Sequence, residues 1–165
     1  MSVASLPRRP RSIGPRRTVA IVASLYNENY VNGLIEAANE ELIRIFPNAA
    51  VPLYRVPGAF EIPVCAEYVI QNTKPDAIIA LGVVIRGETS HADVVAGSVT
   101  DALQQMAVKH LIPVINEVLL VDNEQQAEIR CLNPEYNRGI EAARAAINMS
   151  ELFSKLETVI SSTAR

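Results

Sequence analysis

This 165-residue chain predicts an α/β fold in which one parallel four-stranded sheet carries helices on both faces. Three observations lead there. Short, β-branched runs alternate with longer stretches of helical spacing; the runs are apolar at nearly every position, the mark of strands buried on both faces; and the order β-α-β-α-β-α-β-α supplies the crossovers that parallel strands need. Residues 18–25 (TVAIVASL) form the first such run. Residues 29–46 place Val31, Leu34, Ile35, Ala38, Leu42, Ile43 and Phe46 on one helical face, and Pro47 stops that helix. A second strand is expected over 49–56. Residues 60–71 are helical in pattern, with Pro63 tolerated in the first turn. The third strand, 76–85, is the most apolar segment. A long helix over 91–110 is expected to bury Val94, Val95, Val99, Leu103, Met106 and Ala107. A fourth strand (113–121), a short helix (123–131) and a last long helix (137–156) complete a three-layer, flavodoxin-like sandwich.

Composition narrows the class further. Apolar types make up 49% and charged types 20%, enough apolar surface for one packed domain over residues 18–165. The longest apolar run, 77–85, falls far short of the roughly 18–20 residues of a membrane span. The opening MSVASLPRRPRSIGPRR has charge but no apolar core, so no secretory leader is expected. Cys65 and Cys131 make neither a disulfide framework nor a four-ligand zinc site, which points to a reducing, cytoplasmic address. The net charge of −3 hides an asymmetry: Arg8, Arg9, Arg11, Arg16 and Arg17 give residues 1–17 a charge of +5, leaving −8 for the rest. With Pro7, Pro10 and Pro15, those residues read as a flexible, solvated tail; the competing reading is a nucleic-acid arm. No zinc-finger spacing or aromatic-and-basic interleaving supports nucleic-acid binding elsewhere.

In an open α/β sheet, ligands bind beyond the carboxyl ends of the strands. Residues 26–29, 57–61, 86–91 and 122–123 should therefore converge. They carry no dinucleotide fingerprint, P-loop or serine elbow, and no spacing resembles a metal cluster. The segment GVVIRGETSHAD (82–93) ends an apolar strand in Arg86, Thr89 and Ser90 just before a helix, an arrangement suited to an anion. His91 falls in the first turn, where a neutral imidazole can take and return protons. The alternative is a plain N-cap followed by a surface histidine. Glu61 is either a charge favoured by the helix start or an acceptor for a polyhydroxylated ligand. Tyr26 either packs or stacks on a flat heterocycle. Arg130 and Arg138 are either surface charges or phosphate ligands.

Three segments, VPGAFEIP (56–63), ALGVVIRGETSH (80–91) and NRGIEAARAAINM (137–149), resemble the lumazine synthase family in order and spacing, within a likeness covering about 19–156. The resemblance implies a condensation, free of metal and cofactor, of 5-amino-6-(D-ribitylamino)uracil with 3,4-dihydroxy-2-butanone 4-phosphate to give 6,7-dimethyl-8-ribityllumazine, phosphate and water. It further implies that Tyr26 stacks on the pyrimidine with Asn27 beside it. Ala59, Phe60 and Glu61 would hold the ribityl chain, and Val83, Val84 and Ile85 would border the pyrimidine. Glu88 and Thr89 would form the phosphate turn and His91 the acid/base group. Arg130 would reach the phosphate across a subunit boundary, and Arg138 stands where the family has lysine. Three departures are visible. Ser90-His91-Ala92 replaces Pro-His-Phe, Asn116-Glu117 replaces Phe-Gly so that an amide borders the pyrimidine, and CLNPEYNRG replaces a glycine- and lysine-rich turn. Homopentamers are implied, free or gathered as a 60-subunit shell. A non-catalytic lumazine carrier and a scaffold with an RNA-binding tail are the competing readings.

Overall fold

The apolar runs become the strands of one sheet. In the computed structural model, which describes residues 8, 9 and 16–163, β1 (Val19–Ser24), β2 (Leu53–Val56), β3 (Ala77–Ile85) and β4 (Val114–Val121) form one parallel sheet in the order β2-β1-β3-β4. Helices α1 (Glu28–Ile45), α2 (Ile62–Thr73), α3 (His91–His110), α4 (Glu124–Cys131) and α5 (Arg138–Thr163) cover both faces. Val19, Ile21 and Ala23 of β1 pack toward α1 and α5, while Ala20 and Val22 pack toward α2 and α3. Every position of β1 is buried, which is why no polar alternation is visible in its sequence.

Element limits follow the sequence pattern with four physical adjustments. β2 begins only at Leu53: residues ahead of it run beside β1, accepting from the amides of Val19 and Ile21, but Pro52 has no N–H to return. A 3₁₀ turn, Ala59–Glu61, precedes α2, and Pro63 sits in that helix's first turn. α5 continues to Thr163 because neither glycine nor proline follows Leu156 to stop it. The buried stripe of α3 is Ala92, Ala96, Val99, Leu103 and Met106; Val94, expected inside, is 65% exposed on the opposite face. Ile43 of α1 is likewise outside, and Ile45 and Phe46 fill the core instead.

Polar groups set the close helix contacts. Asn137 is buried; its amide nitrogen donates to the carbonyls of Gly33 and Cys131, and its oxygen accepts from the amide of Gly139. One side chain thus ties α1, α4 and α5 together. Glu41 is buried on α1 and accepts from Arg9 at 2.7 and 3.1 Å and from Arg144 at 2.8 Å. Burial alone would raise the Glu41 pKa, but the arginine hydrogen bonds outweigh it and the carboxyl titrates below its usual range. Arg17 is also buried and donates to the Ser150 carbonyl at 3.3 Å. Two arginines ahead of β1 are therefore engaged with the body. Arg11, Pro7, Pro10 and Pro15 lie outside the described residues.

Candidate active site

The sheet order reverses between β1 and β3, since the chain passes from β1 to β2 on one side and from β3 to β4 on the other. A crevice opens beyond the carboxyl ends at such a point. Asn27 spans it. This residue adopts the left-handed conformation (φ 56°, ψ 43°), which asparagine tolerates, and its amide donates to the Val83 carbonyl at 2.8 Å. The loop after β1 is thereby fastened to the end of β3, where Val84 and Ile85 are half-buried.

The loop after β2 closes one wall. Amides of Leu25 and Tyr26 donate to the Pro57 carbonyl, and the Gly58 amide donates to Glu61 Oε2 at 2.9 Å. Gly58 is needed for close approach: a Cβ there would lie 2.9 Å from that oxygen and 3.3 Å from the Tyr26 ring. Tyr26, Gly58 and Glu61 thus form one corner. The Tyr26 ring is 73% exposed and the Phe60 ring 61% exposed, while Ala59 beneath them is buried. One carboxylate oxygen of Glu61 is held by the backbone and the other makes no hydrogen bond with a described residue, which suits a hydroxyl-bearing ligand. A groove of about 450 Å³ runs from Phe60 and Glu61 to Ser98, Val99 and Ala102 on α3.

The loop after β3 differs from the sequence reading in one respect. Arg86 does not face an anion. Its guanidinium is hydrogen-bonded to Asp93 at 2.7 Å and to Asp122, and these bonds raise its pKa further. The result is a staple between the loops after β3 and β4. Glu88 and Thr89 are exposed, and Ser90 occupies the N-cap position of α3 without a side-chain cap, so the first-turn amides remain open to a ligand. His91 follows, exposed and without a hydrogen bond to any described residue.

Asn116, Arg130 and Arg138 lie on and around β4, an edge strand of the sheet, with Asn116 turned toward α3 and Arg138 toward the opposite face. The Asn116 amide donates to Thr100 Oγ1 on α3 at 3.0 Å. Arg130 forms no hydrogen bond or salt bridge with another described residue. Arg138, by contrast, is gripped by Glu117 at 3.0 and 3.1 Å and also by Glu141. Glu117 is 5% exposed on the sheet face that carries α4 and α5. Its burial raises the carboxyl from the ordinary 4.5 to about 7, with Arg138 restraining the rise. A group that holds its proton better folded than unfolded makes stability fall as pH rises, here between 4.5 and 7. Replacing Glu117 by glutamine should therefore flatten the decline in thermal midpoint over that window, by up to about 3 kcal/mol in stability. Equal slopes in parent and variant would mean an ionised carboxylate throughout.

Sequence reasoning named Glu117 only as a departure and missed its pairing with Arg138, the Asp93-Arg86-Asp122 staple and the tight Gly58 corner. A charged residue inside an apolar strand was the available signal for the first. The larger hollow, about 510 Å³, lies at the opposite end of the sheet between Arg17, Lys74, His110 and Ser150, away from the converging loops.

Comparison with known proteins identifies a family. The family model described as 6,7-dimethyl-8-ribityllumazine synthase matches residues 16–154. The 6,7-dimethyl-8-ribityllumazine synthase of Polaromonas sp. (strain JS666 / ATCC BAA-500) is 35% identical over 144 residues, covering 87% of this chain and 91% of the relative.

Proposed function

Since the chain belongs to the 6,7-dimethyl-8-ribityllumazine synthase family, we propose how its own residues divide the reaction. It is a transferase of riboflavin biosynthesis: it condenses 5-amino-6-(D-ribitylamino)uracil with 3,4-dihydroxy-2-butanone 4-phosphate to give 6,7-dimethyl-8-ribityllumazine, phosphate and water. The substrates supply the amine and the ketone, so the protein has to align them, hold the phosphate and move protons, without a cofactor. Tyr26 stacks on the pyrimidine; Asn27 holds the end of β3, where Val83, Val84 and Ile85 border the ring. Ala59, Phe60 and Glu61 receive the ribityl chain, with the open Glu61 oxygen accepting its hydroxyls. Glu88, Thr89 and the uncapped amides of α3 line the phosphate turn, and His91 transfers protons.

One observation carries this reading. His91, exposed and without a hydrogen-bond partner among the described residues, stands at an uncapped helix start on the same rim as the Tyr26-Gly58-Glu61 corner. Mixing the two substrates with purified protein should produce lumazine fluorescence, and a flat trace would overturn the reading. His91→Ala should slow turnover by about a hundredfold, the lower end for acid/base groups, and leave activity above the uncatalysed rate. Complete loss in a folded variant would make proton transfer, rather than alignment, the main contribution.

Asn116, Arg130 and Arg138 complete the site of a neighbouring copy in a homopentamer. The exposed apolar stripe Phe60, Val64 and Tyr68 supports such contact, since it begins at the ribityl wall and runs along α2 at helical spacing. Light scattering should give about 90 kDa for five 18.0-kDa chains, or twelve times that for a shell. No helix among the described residues is long and apolar enough to cross a membrane. The two free cysteines fit a cytoplasmic setting.

A further inference from the structure

Arg138 is the one cation of the β4 group that arrives already neutralised. Its Nε and one terminal nitrogen lie 3.0 and 3.1 Å from the two oxygens of Glu117, a bidentate grip in which the carboxylate is almost wholly buried. The charged and titratable groups facing Glu117 are Arg138 and Glu141 of α5 and Arg130 and Cys131 of α4; β3 offers only Leu81 in register. Burial pushes the Cys131 thiol up to about 12, so it stays neutral. Arg130 and Arg138 therefore share one buried counter-charge.

We propose that Glu117 is a positioning residue for the phosphate-bearing substrate: by gripping Arg138 within the field of Arg130, its carboxyl sets how much positive charge the two guanidinium groups present to a phosphate. This rests on the reading that Arg130 and Arg138 face that phosphate. With Glu117 ionised, Arg130, Arg138, Glu117 and Glu141 together carry no net charge, and with Glu117 protonated they carry +1. An anion binds the second state more tightly, and by linkage its arrival favours proton uptake by Glu117. The carboxyl changes charge near neutrality, its pKa raised by burial to about 7.

Sulfate tests this without titrating itself. As a competitor of 3,4-dihydroxy-2-butanone 4-phosphate, it should inhibit the parent roughly fivefold more strongly at pH 6 than at pH 8, the scale expected for one nearby charge in a partly solvated site. Glu117→Gln, which keeps the shape and removes the charge change, should inhibit at both pH values as the parent does at pH 6. The Michaelis constant for the pyrimidine should be the same in both proteins. Sulfate inhibition that falls in parallel in parent and variant would overturn the proposal, because another group would then be titrating. If Glu117→Gln does not fold, Glu117→Ala takes its place with the same expectation, and pH-independent sulfate inhibition of the parent would by itself overturn the proposal. Arg130→Ala separates the two levels of inference. Should it leave sulfate inhibition intact, the phosphate assignment fails; should it abolish inhibition while Glu117→Gln tracks the parent, only the role of Glu117 fails.

Discussion

Replacing Arg130 by alanine is expected to raise the Michaelis constant for 3,4-dihydroxy-2-butanone 4-phosphate by roughly ten- to a hundredfold, and that for the pyrimidine by less than threefold. The range is that of one charge-assisted hydrogen bond, about 1.5–3 kcal/mol. Two features of the chain concentrate the effect on this residue. Arg86, the obvious cation of the phosphate turn, is engaged by Asp93 and Asp122, and Arg138 is engaged by Glu117 and Glu141. Arg130 is left as the cation of the set without an ion pair among the described residues. Steady-state kinetics with each substrate varied in turn would settle the matter. Equal changes in both constants would place Arg130 outside the phosphate site.

Gly139→Ala should be among the most damaging single substitutions to the fold. A Cβ at this position would sit 2.2 Å from the Leu34 carbonyl oxygen and 3.0 Å from Asn137 Oδ1. The first of these is backbone and cannot swing aside, so α1 and α5 must separate. Overpacking of this kind costs about 3 kcal/mol, which lowers the thermal midpoint of a chain this size by about 6–12 °C. The strain also reaches the site, because Arg138 is the adjacent residue and would be drawn from Glu117. A melting curve within about 2 °C of the parent would show that the two helices can part at little cost.

The contrast between these two positions shows what was legible in the sequence. Strand and helix existence could be read directly, because β1 and β3 are apolar at nearly every position and α3 spans the residues its spacing predicted. The phase of a helix was harder: Val94 and Ile43 are apolar yet exposed, and spacing alone cannot separate a stripe facing the sheet from residues beside it. The candidate site residues near β1 and β3 stand in motifs that the sequence displays. Their partners were not, because Asn27 to Val83, Arg86 to Asp122 and Glu117 to Arg138 are pairings of tertiary structure between residues 21 to 56 positions apart. Glu41 shows the same limit: on a helical wheel it is a surface acid, yet in the fold it is a buried anchor for Arg9 and Arg144.

The Arg86 staple also has a consequence for catalysis in the proposed homopentamer. Glu88, Asp93 and Asp122 outnumber the single guanidinium between them, so the rim around His91 is electronegative in an isolated copy. In the proposed homopentamer, Arg130 of a neighbouring copy would supply the cation that these side chains lack. Specific activity then becomes a function of enzyme concentration. On serial dilution the protein should fall silent at the point where copies part company, while each chain still holds its native shape.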